Sequence, residues 1–368
     1  MACAVSVYGE QLVTRRVTIV GGGLAGAAAA CGLGGRALLL ERETGAHDKI
    51  CGEFLSHEAG DTLAALGFDA SRLGGAPIGR VRLHSGARTA AAALPFVAHG
   101  LSRRTLDEAL LDHAAARGAE IRRGVSVRGL GDGTALTSEG ETAAGTIFLA
   151  SGKHDVRGTG RARDGTIDGL IGFKMFFRAP PSLAARLAGH VDVTLFEGGY
   201  AGLQPVEGGR VNLCLLVERA RFKALGGTWD ALFAALLREP SLAALEAAEA
   251  LLARPLTISN VPYGYLAKPR DDGLWRLGDQ AAVIPSFCGD GMAMALHSGH
   301  LAARMVADGA DAPAFQARLR RDTARQVRLA TTVQHVATTK AGRFVTMAGL
   351  SAVPGAMGVL ARWTRVGG

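Results

Sequence analysis

The chain has 368 residues, 48% of them hydrophobic and 20% charged, with a formal net charge of +8. That length and apolarity suit two domains, or one large α/β domain carrying an insert. The basic residues are overwhelmingly Arg and form no concentrated block, and aromatics are only 5%, so nucleic-acid binding has no support.

Residues 15 to 20, "RRVTIV", make a short β-rich apolar run. "GGGLAG", the Ala-rich "AAAACGL" and "ALLLERE" follow, which gives strand, glycine turn, helix, strand. Gly21, Gly23 and Gly26 thus form G-x-G-x-x-G directly after a strand and at the start of a helix. Gly21 allows the tight turn, Gly23 lets a pyrophosphate approach the backbone, and Gly26 allows close helix–strand packing. The helix N-terminus attracts the phosphate charge. Glu41 ends the second strand, 20 residues after Gly21, where a carboxylate can accept from a ribose hydroxyl, and Arg42 follows it as a further cofactor-side candidate. The span from Gly26 to Glu41 is about one helical turn shorter than such units usually have, so the helix is clipped or its return loop tightened.

Residues 81 to 97 alternate weakly and read as strands of a different sheet. Over 102 to 118, Leu106, Leu110, Leu111 and Ala114 share one helical face, with Ser102 as cap and Gly118 as stop. "AEIRRGVSVRGL" reads as strand, turn, strand, and "TIFLASG" as a buried strand. From about 170 to 265, "GLIGFKMFFRA", "HVDVTLFEGGYAGLQPV" and "GRVNLCLLVER" read as successive antiparallel strands, and "TWDALFAALLREPSLAALEAAEALL" as helix. In "LWRLGDQAAVIPSFCGDGMAMALHSG", residues 274 to 299, a strand runs into Gly278-Asp279. Pro285, Gly289 and Gly291 follow, and a helix opens over 291 to 307. The organisation is a Rossmann-like βαβ domain over 14–80, 98–165 and 270–310. An antiparallel-sheet domain over 81–97 and 166–269 interrupts it, and a helical C-terminal segment covers 311–368.

These two glycine motifs, with the helix between them, resemble the FAD-dependent oxidoreductases of the para-hydroxybenzoate hydroxylase and geranylgeranyl reductase superfamily, over most of residues 15 to 310. The resemblance implies an α/β fold whose first domain binds FAD in the manner of glutathione reductase, with the antiparallel sheet as substrate domain. It implies Arg103, in "SRRTLD", on the FAD phosphates, Asp279 on a ribitol hydroxyl, and the glycine turn at 289–291 facing the flavin edge. There the helix dipole stabilises negative charge on the reduced ring. "KICGEFLS", residues 49 to 56, looks like the Lys-x-Cys-Gly stretch that lies beside the flavin in the reductase branch, which makes Cys51 either a substrate-side thiol or a buried structural cysteine. "GGYAGLQP", residues 198 to 205, matches that branch's Tyr-x-Trp-x-Phe-Pro segment at Tyr200 and Pro205. Gly202 and Gln204 replace its Trp and Phe, so the pocket is expected to be wider or more polar.

"ASGKHDVRG", residues 150 to 158, departs further. The family usually has Asp-Gly, then Ser, then Arg; here Ser151 replaces the Asp and Asp155 the Ser, while Gly152 and Arg157 remain. Lys153 and His154 add positive charge. This reads as a flavin site with altered wiring. No second glycine fingerprint marks a nicotinamide domain, so electrons would come from NAD(P)H bound transiently or from a separate reductase.

The function implied is a monooxygenase acting on an apolar aromatic or polyketide-like small molecule, of the kind met in bacterial secondary metabolism, through a flavin C4a-hydroperoxide. The cofactor carries the hard step, and no residue is assigned as an essential base. The alternative is a reductase or dehydrogenase of carbon–carbon bonds. A flavin-binding electron carrier with no substrate of its own fits poorly with an insert of that size, and a halogenase lacks its Trp-x-Trp-x-x-Ile-Pro stretch.

The remaining features are bland. Cys3, Cys31, Cys51, Cys214 and Cys288 are scattered and odd in number, which argues against a zinc site or disulfide framework and fits a reducing cytoplasm. His297 and His300 read as ordinary helix residues, not metal ligands. The Arg excess, with abundant Ala and Gly, reads as the codon bias of a GC-rich bacterium, the alternative being attraction to an anionic cofactor, lipid or carrier protein. The first ten residues carry no signal peptide pattern. "FVTMAGLSAVPGAMGVLA", residues 344 to 361, is apolar and uncharged but broken by Pro354 and several Gly. It reads as a buried helical hairpin, with a membrane-touching element as the less favoured reading.

Overall fold

The computed structural model describes residues 16–131 and 133–339, together with Gly342, Arg343 and Met347. "VTIV" forms β1 (Val17–Val20), the Ala-rich run α1 (Leu24–Leu33) and "ALLLE" β2 (Ala37–Glu41), all three almost wholly buried. The short span noted above is met in both ways: α1 has only ten residues, and a 3-10 turn, Gly34–Arg36, returns the chain. β3 (Phe54–Leu55) and α2 (His57–Ala65) lead to a long hairpin, β4 (Ala76–Ser85) and β5 (Arg88–Gly100). α3 (Arg103–Ala116) starts where the sequence places it, with Ser102 Oγ accepting from Thr105 N at 3.3 Å. β6 (Glu120–Arg123), an antiparallel meander of β7 (Val127–Gly131), β8 (Thr134–Thr137) and β9 (Gly140–Ala143), and β10 (Thr146–Leu149) follow.

The insert contains β11 (Leu170–Arg178), α4 (Pro181–Leu187), β12 (Gly189–Phe196), β13 (Gly199–Pro205) and β14 (Arg210–Glu218), the strands the apolar runs predict. It continues through α5 (Arg219–Ala224), α6 (Trp229–Leu236), β15 (Glu249–Ala250) and β16 (Leu256–Ser259). The long helix expected across 228–252 is not there. α6 stops at Leu236, and after Pro240 only a 3-10 turn, Ala243–Ala247, remains, since proline lacks the N–H and biases the residue before it away from helix. β17 (Leu274–Arg276), α7 (Gly291–Ala307) and α8 (Ala312–Thr338) complete the described chain.

Besides the β7-β8-β9 meander, two sheet systems result. β6, β2 and β1 form a parallel sheet, and β10 and β17 a parallel pair. Ala150 N donates to Val20 O at 2.9 Å, which ties the pair to β1. The second sheet runs β15-β11-β14-β13-β12-β4-β5-β3, with β16 also on β11; its pairs are antiparallel except β12–β4. Phe173, Met175 and Phe177 of β11 point to one side, against Leu183 and Leu187 of α4 and Leu232 and Leu236 of α6. With a period of two, Lys174 faces the other way, toward the parallel-sheet domain. No described helix is long and apolar enough to cross a membrane. The apolar stretch 344–361 lies outside the described residues except for Met347, which is buried.

Candidate functional site

The first glycine turn is shaped by what its backbone touches. Gly21 has φ +106°, and a Cβ there would lie 2.6 Å from the Ala150 carbonyl oxygen at the end of β10. Gly26 is tighter still: a Cβ would lie 2.0 Å from Gly21 O. Gly23 caps α1, and a Cβ on it would meet Arg103 Nη2 at 3.4 Å and Lys49 Nζ at 3.8 Å. Glu41, 7% exposed, accepts from Gly22 N at 2.6 Å through Oε2 and from Glu43 N at 2.8 Å through Oε1. A carboxylate has roughly four acceptor positions, so capacity remains for a sugar hydroxyl. Arg42 pairs with Glu43 at 3.0 Å and lines the same cleft.

The cations beside Gly23 are held by one acid. Arg103 Nε and Nη2 donate to Asp107 at 2.7 and 2.8 Å, and Lys49 Nζ donates to it at 2.8 Å. Burial favours the neutral acid at Asp107, but Arg103 and then Lys49 overrule it and hold its carboxyl below the usual range. Within this trio two charges are positive and one is negative, so net positive charge stands beside Gly23. The signal was in the sequence, since Arg103 and Asp107 stand at i and i+4 on α3.

Two clefts open on this cluster. The outer, about 500 Å³, runs from Gly21, Gly23 and Glu41 past His47 and Lys49 to the loop 151–156. The inner, about 120 Å³, is lined by Cys51, Glu53, Phe54, Tyr263, Gly278, Ser286, Gly289 and Gly291 among others. Gly23, Arg103, Ala150, Gly152, Lys153 and Asp279 line both. The outer cleft alone has the size of a small-molecule site.

No family model matches the chain, and no curated protein matches it. Solved structures do. A geranylgeranyl bacteriochlorophyll reductase-like protein from Thermoplasma acidophilum is 18% identical, with a TM-score of 0.74 over 95% of this chain and 94% of that one. PqsL from Pseudomonas aeruginosa, described as a probable FAD-dependent monooxygenase, is 16% identical, with a TM-score of 0.72 over 92% of this chain and 100% of its own. The flavin-dependent brominase Bmp2 is 17% identical, with a TM-score of 0.76 over 96% and 93%. The chain has the fold of the FAD-dependent oxidoreductases.

Within that flavoenzyme fold the second glycine motif closes the inner cleft. Gly278, φ +54°, sits 3.1 Å from Ala25 Cβ by its hypothetical Cβ, and its N donates to Ser298 Oγ of α7 at 2.8 Å. Gly289, φ +71°, lies against Phe54, and Gly291 opens α7, so the N-terminus of a 17-residue helix borders the cleft. Pro285, buried, precedes the 3-10 turn Ser286–Cys288 that joins the two glycine turns.

The loop at 151–156 is wired differently from the expectation. Ser151 Oγ is used locally, donating to His154 O at 2.7 Å. Gly152, φ +63°, presents its carbonyl to Gln280 Nε2 at 2.8 Å. Arg157, the retained arginine of the motif, is exposed, and its backbone forms an isolated parallel bridge with that of Gly129. The buried arginine is Arg161, which sequence reasoning missed. It donates to Asp155 Oδ1 at 2.7 Å, Lys153 O at 2.7 Å and Asp279 O at 3.0 Å, locking the loop to the second motif. Burial, then Arg42, Lys153 and Arg161, hold the His154 imidazole below its usual value, which favours the neutral ring beside those cations.

The loop of residues 49–53 is pinned carbonyl by carbonyl. Lys49 O accepts from Lys174 at 2.9 Å, Ile50 O from Lys153 at 2.8 Å, Cys51 O and Gly52 O from Asn212 at 3.1 and 2.9 Å, and Glu53 O from Gln204 at 2.8 Å. Cys51 lines the inner cleft, and its Sγ accepts from Glu53 N at 3.3 Å. Gln204 corrects the sequence reading: it is 2% exposed and holds this loop, so it does not add polarity to a pocket wall. Tyr200 lines neither cleft. It is buried edge-on to Phe287, ring centroids 5.5 Å apart, in an apolar cluster with Tyr263, Tyr265, Leu195 and Leu216.

These residues fit FAD. At Gly21, Gly22 and Gly26 the cradle leaves no space for a Cβ, and the charge beside Gly23 is positive, as a pyrophosphate requires. Arg103→Ala is expected to weaken FAD binding about tenfold to a hundredfold, the worth of about 1.5–3 kcal/mol for hydrogen bonds to a charged group, read by quenching of flavin fluorescence.

Proposed function

We propose that the chain is an FAD-dependent oxidoreductase of the monooxygenase type, acting on an apolar aromatic or polyketide-like small molecule in a reducing cytoplasm. The observation that carries the reading is the junction at Gly23, Arg103, Gly152 and Asp279. There a phosphate-suited turn and the N-terminus of α7 open on one continuous pair of clefts. FAD bound there would supply the redox chemistry, taking electrons from NAD(P)H or a separate reductase and passing them to oxygen. The chain's part is to bind and orient: Arg103 and Lys49 for the phosphates, Glu41 for the ribose, Asp279 for the ribitol. The rings of Phe54 and Tyr263, which line the inner cleft, support an apolar aromatic substrate.

A second reading, reduction of a carbon–carbon bond, is favoured by Cys51, whose thiol borders the inner cleft. Rapid mixing separates the two. FAD-loaded protein is reduced without oxygen and then mixed with oxygenated buffer. A transient absorbance belonging to neither reduced nor oxidised flavin is expected for a monooxygenase. Direct return to oxidised flavin, with or without candidate aromatics, would move the assignment to the reductase.

A further inference from the structure

Glu53 combines three features that a structural residue rarely has together. It has φ +61°, one of two non-glycine residues with positive φ among the described residues. Side chains of this kind strain there, and such strain persists where the surroundings over-determine it. They do: Glu53 O accepts from Leu101 N at 3.0 Å as well as from Gln204, and Oε1 accepts from Arg103 N at 2.9 Å and from Lys174 Nζ. Both Glu53 and Lys174 are fully buried. Yet Oε2 finds no donor among the described residues, although Glu53 lines the inner cleft.

We propose that Glu53 is a proton-exchanging group of the inner cleft, positioned by Lys174, whose Oε2 takes up a proton and donates it in a hydrogen bond when the cleft is filled. This rests on the reading that FAD fills that cleft. An ionised Oε2 without a donor is costly in a buried place, whereas a protonated one needs only an acceptor, which a heteroaromatic ring edge offers. The charged and titratable groups around it are Lys174 on β11, Arg103 on α3 with Asp107 and Lys49 behind, Glu207 before β14, Cys51, and Cys214 on β14. Burial pushes the Glu53 carboxyl up to about 7, against the pull of Lys174, so the proton is exchanged near neutrality. Removing water from the cleft drives it further up and draws a proton in.

The test measures FAD binding by calorimetry at neutral pH in two buffers of different ionisation heat. Wild type should take up a fraction of a proton per FAD, and Glu53→Gln close to none while still binding FAD. Infrared difference spectra of the FAD-free proteins, wild type minus Glu53→Gln, should show one protonated-carboxyl band that fades as pH rises through neutrality. In Lys174→Gln that midpoint should move to higher pH, a shift that a merely structural Glu53 would not give. Equal proton uptake in wild type and Glu53→Gln, or no titrating band, overturns the inference while leaving the FAD reading intact. Failure of the wild type to bind FAD at all overturns that reading and the inference with it.

Discussion

Gly26→Ala is expected to give a protein that loses FAD on gel filtration and unfolds at a markedly lower denaturant concentration. The added methyl would stand 2.0 Å from the Gly21 carbonyl oxygen and 3.1 Å from Ile19 Cγ2. Overpacking against movable side chains costs about 1–3 kcal/mol. Here the obstacle is backbone, and Gly21 is itself fixed by its hydrogen bond to Leu40 O at 2.9 Å, so the turn must open. The expected loss is about 3 kcal/mol or more, with FAD affinity falling further because the displaced N–H groups are those that would face the phosphates in the proposed site. Normal FAD retention in this variant would show that the turn is not the cofactor's seat.

Lys174→Met is expected to destabilise the protein by about 3–5 kcal/mol near pH 8, because the Glu53 carboxyl, buried without its partner, must either stay charged at high cost or take up a proton from a solution poor in them. The loss should shrink toward pH 5. There Glu53 carries its proton in the folded protein, and Lys174 is itself a buried charge with less to offset it. The sign for wild type follows from the same group. Its folded value of about 7 lies above the ordinary 4.5, so its stabilising contribution is full below about 4.5 and is lost as pH rises through 7. Glu53→Gln should therefore flatten that part of the stability curve, read from denaturant midpoints across pH 4 to 8. A Lys174→Met penalty that is the same at both ends would mean that the pair acts only by packing.

The glycine-turn half of the site was legible because its geometry is local. Glycines at fixed spacing after a strand, an acid at the next strand end, and a Gly-Asp turn before a helix each report on backbone a few residues away. The half built by the inserted sheet was legible as strands but not as contacts. Lys174 stands inside "GLIGFKMFFRA", and a lysine at mid-strand in an apolar run signals a buried charge, but nothing local says that its partner lies 121 positions earlier at Glu53. Gln204 looked like a lost aromatic wall and proved to be a tether for the same reason. Motif position points to Arg157 and gives no sign of Arg161. Burial decides between two arginines four residues apart, and burial there depends on Asp279 arriving from 118 positions away. Pro240 was the opposite case, a local signal that overrode a helical composition.

The pinned loop bears on how such a protein can be rebuilt. Four of the five carbonyls from Lys49 to Glu53 are held by side chains that belong to the inserted sheet, Lys174, Asn212 and Gln204. The wall of the inner cleft is therefore encoded twice, once in the segment that forms it and once in strands read more than a hundred residues later. A chimaera that exchanges the insert must carry those three positions across with it, or it will alter the inner cleft while leaving every residue of the glycine turns in place.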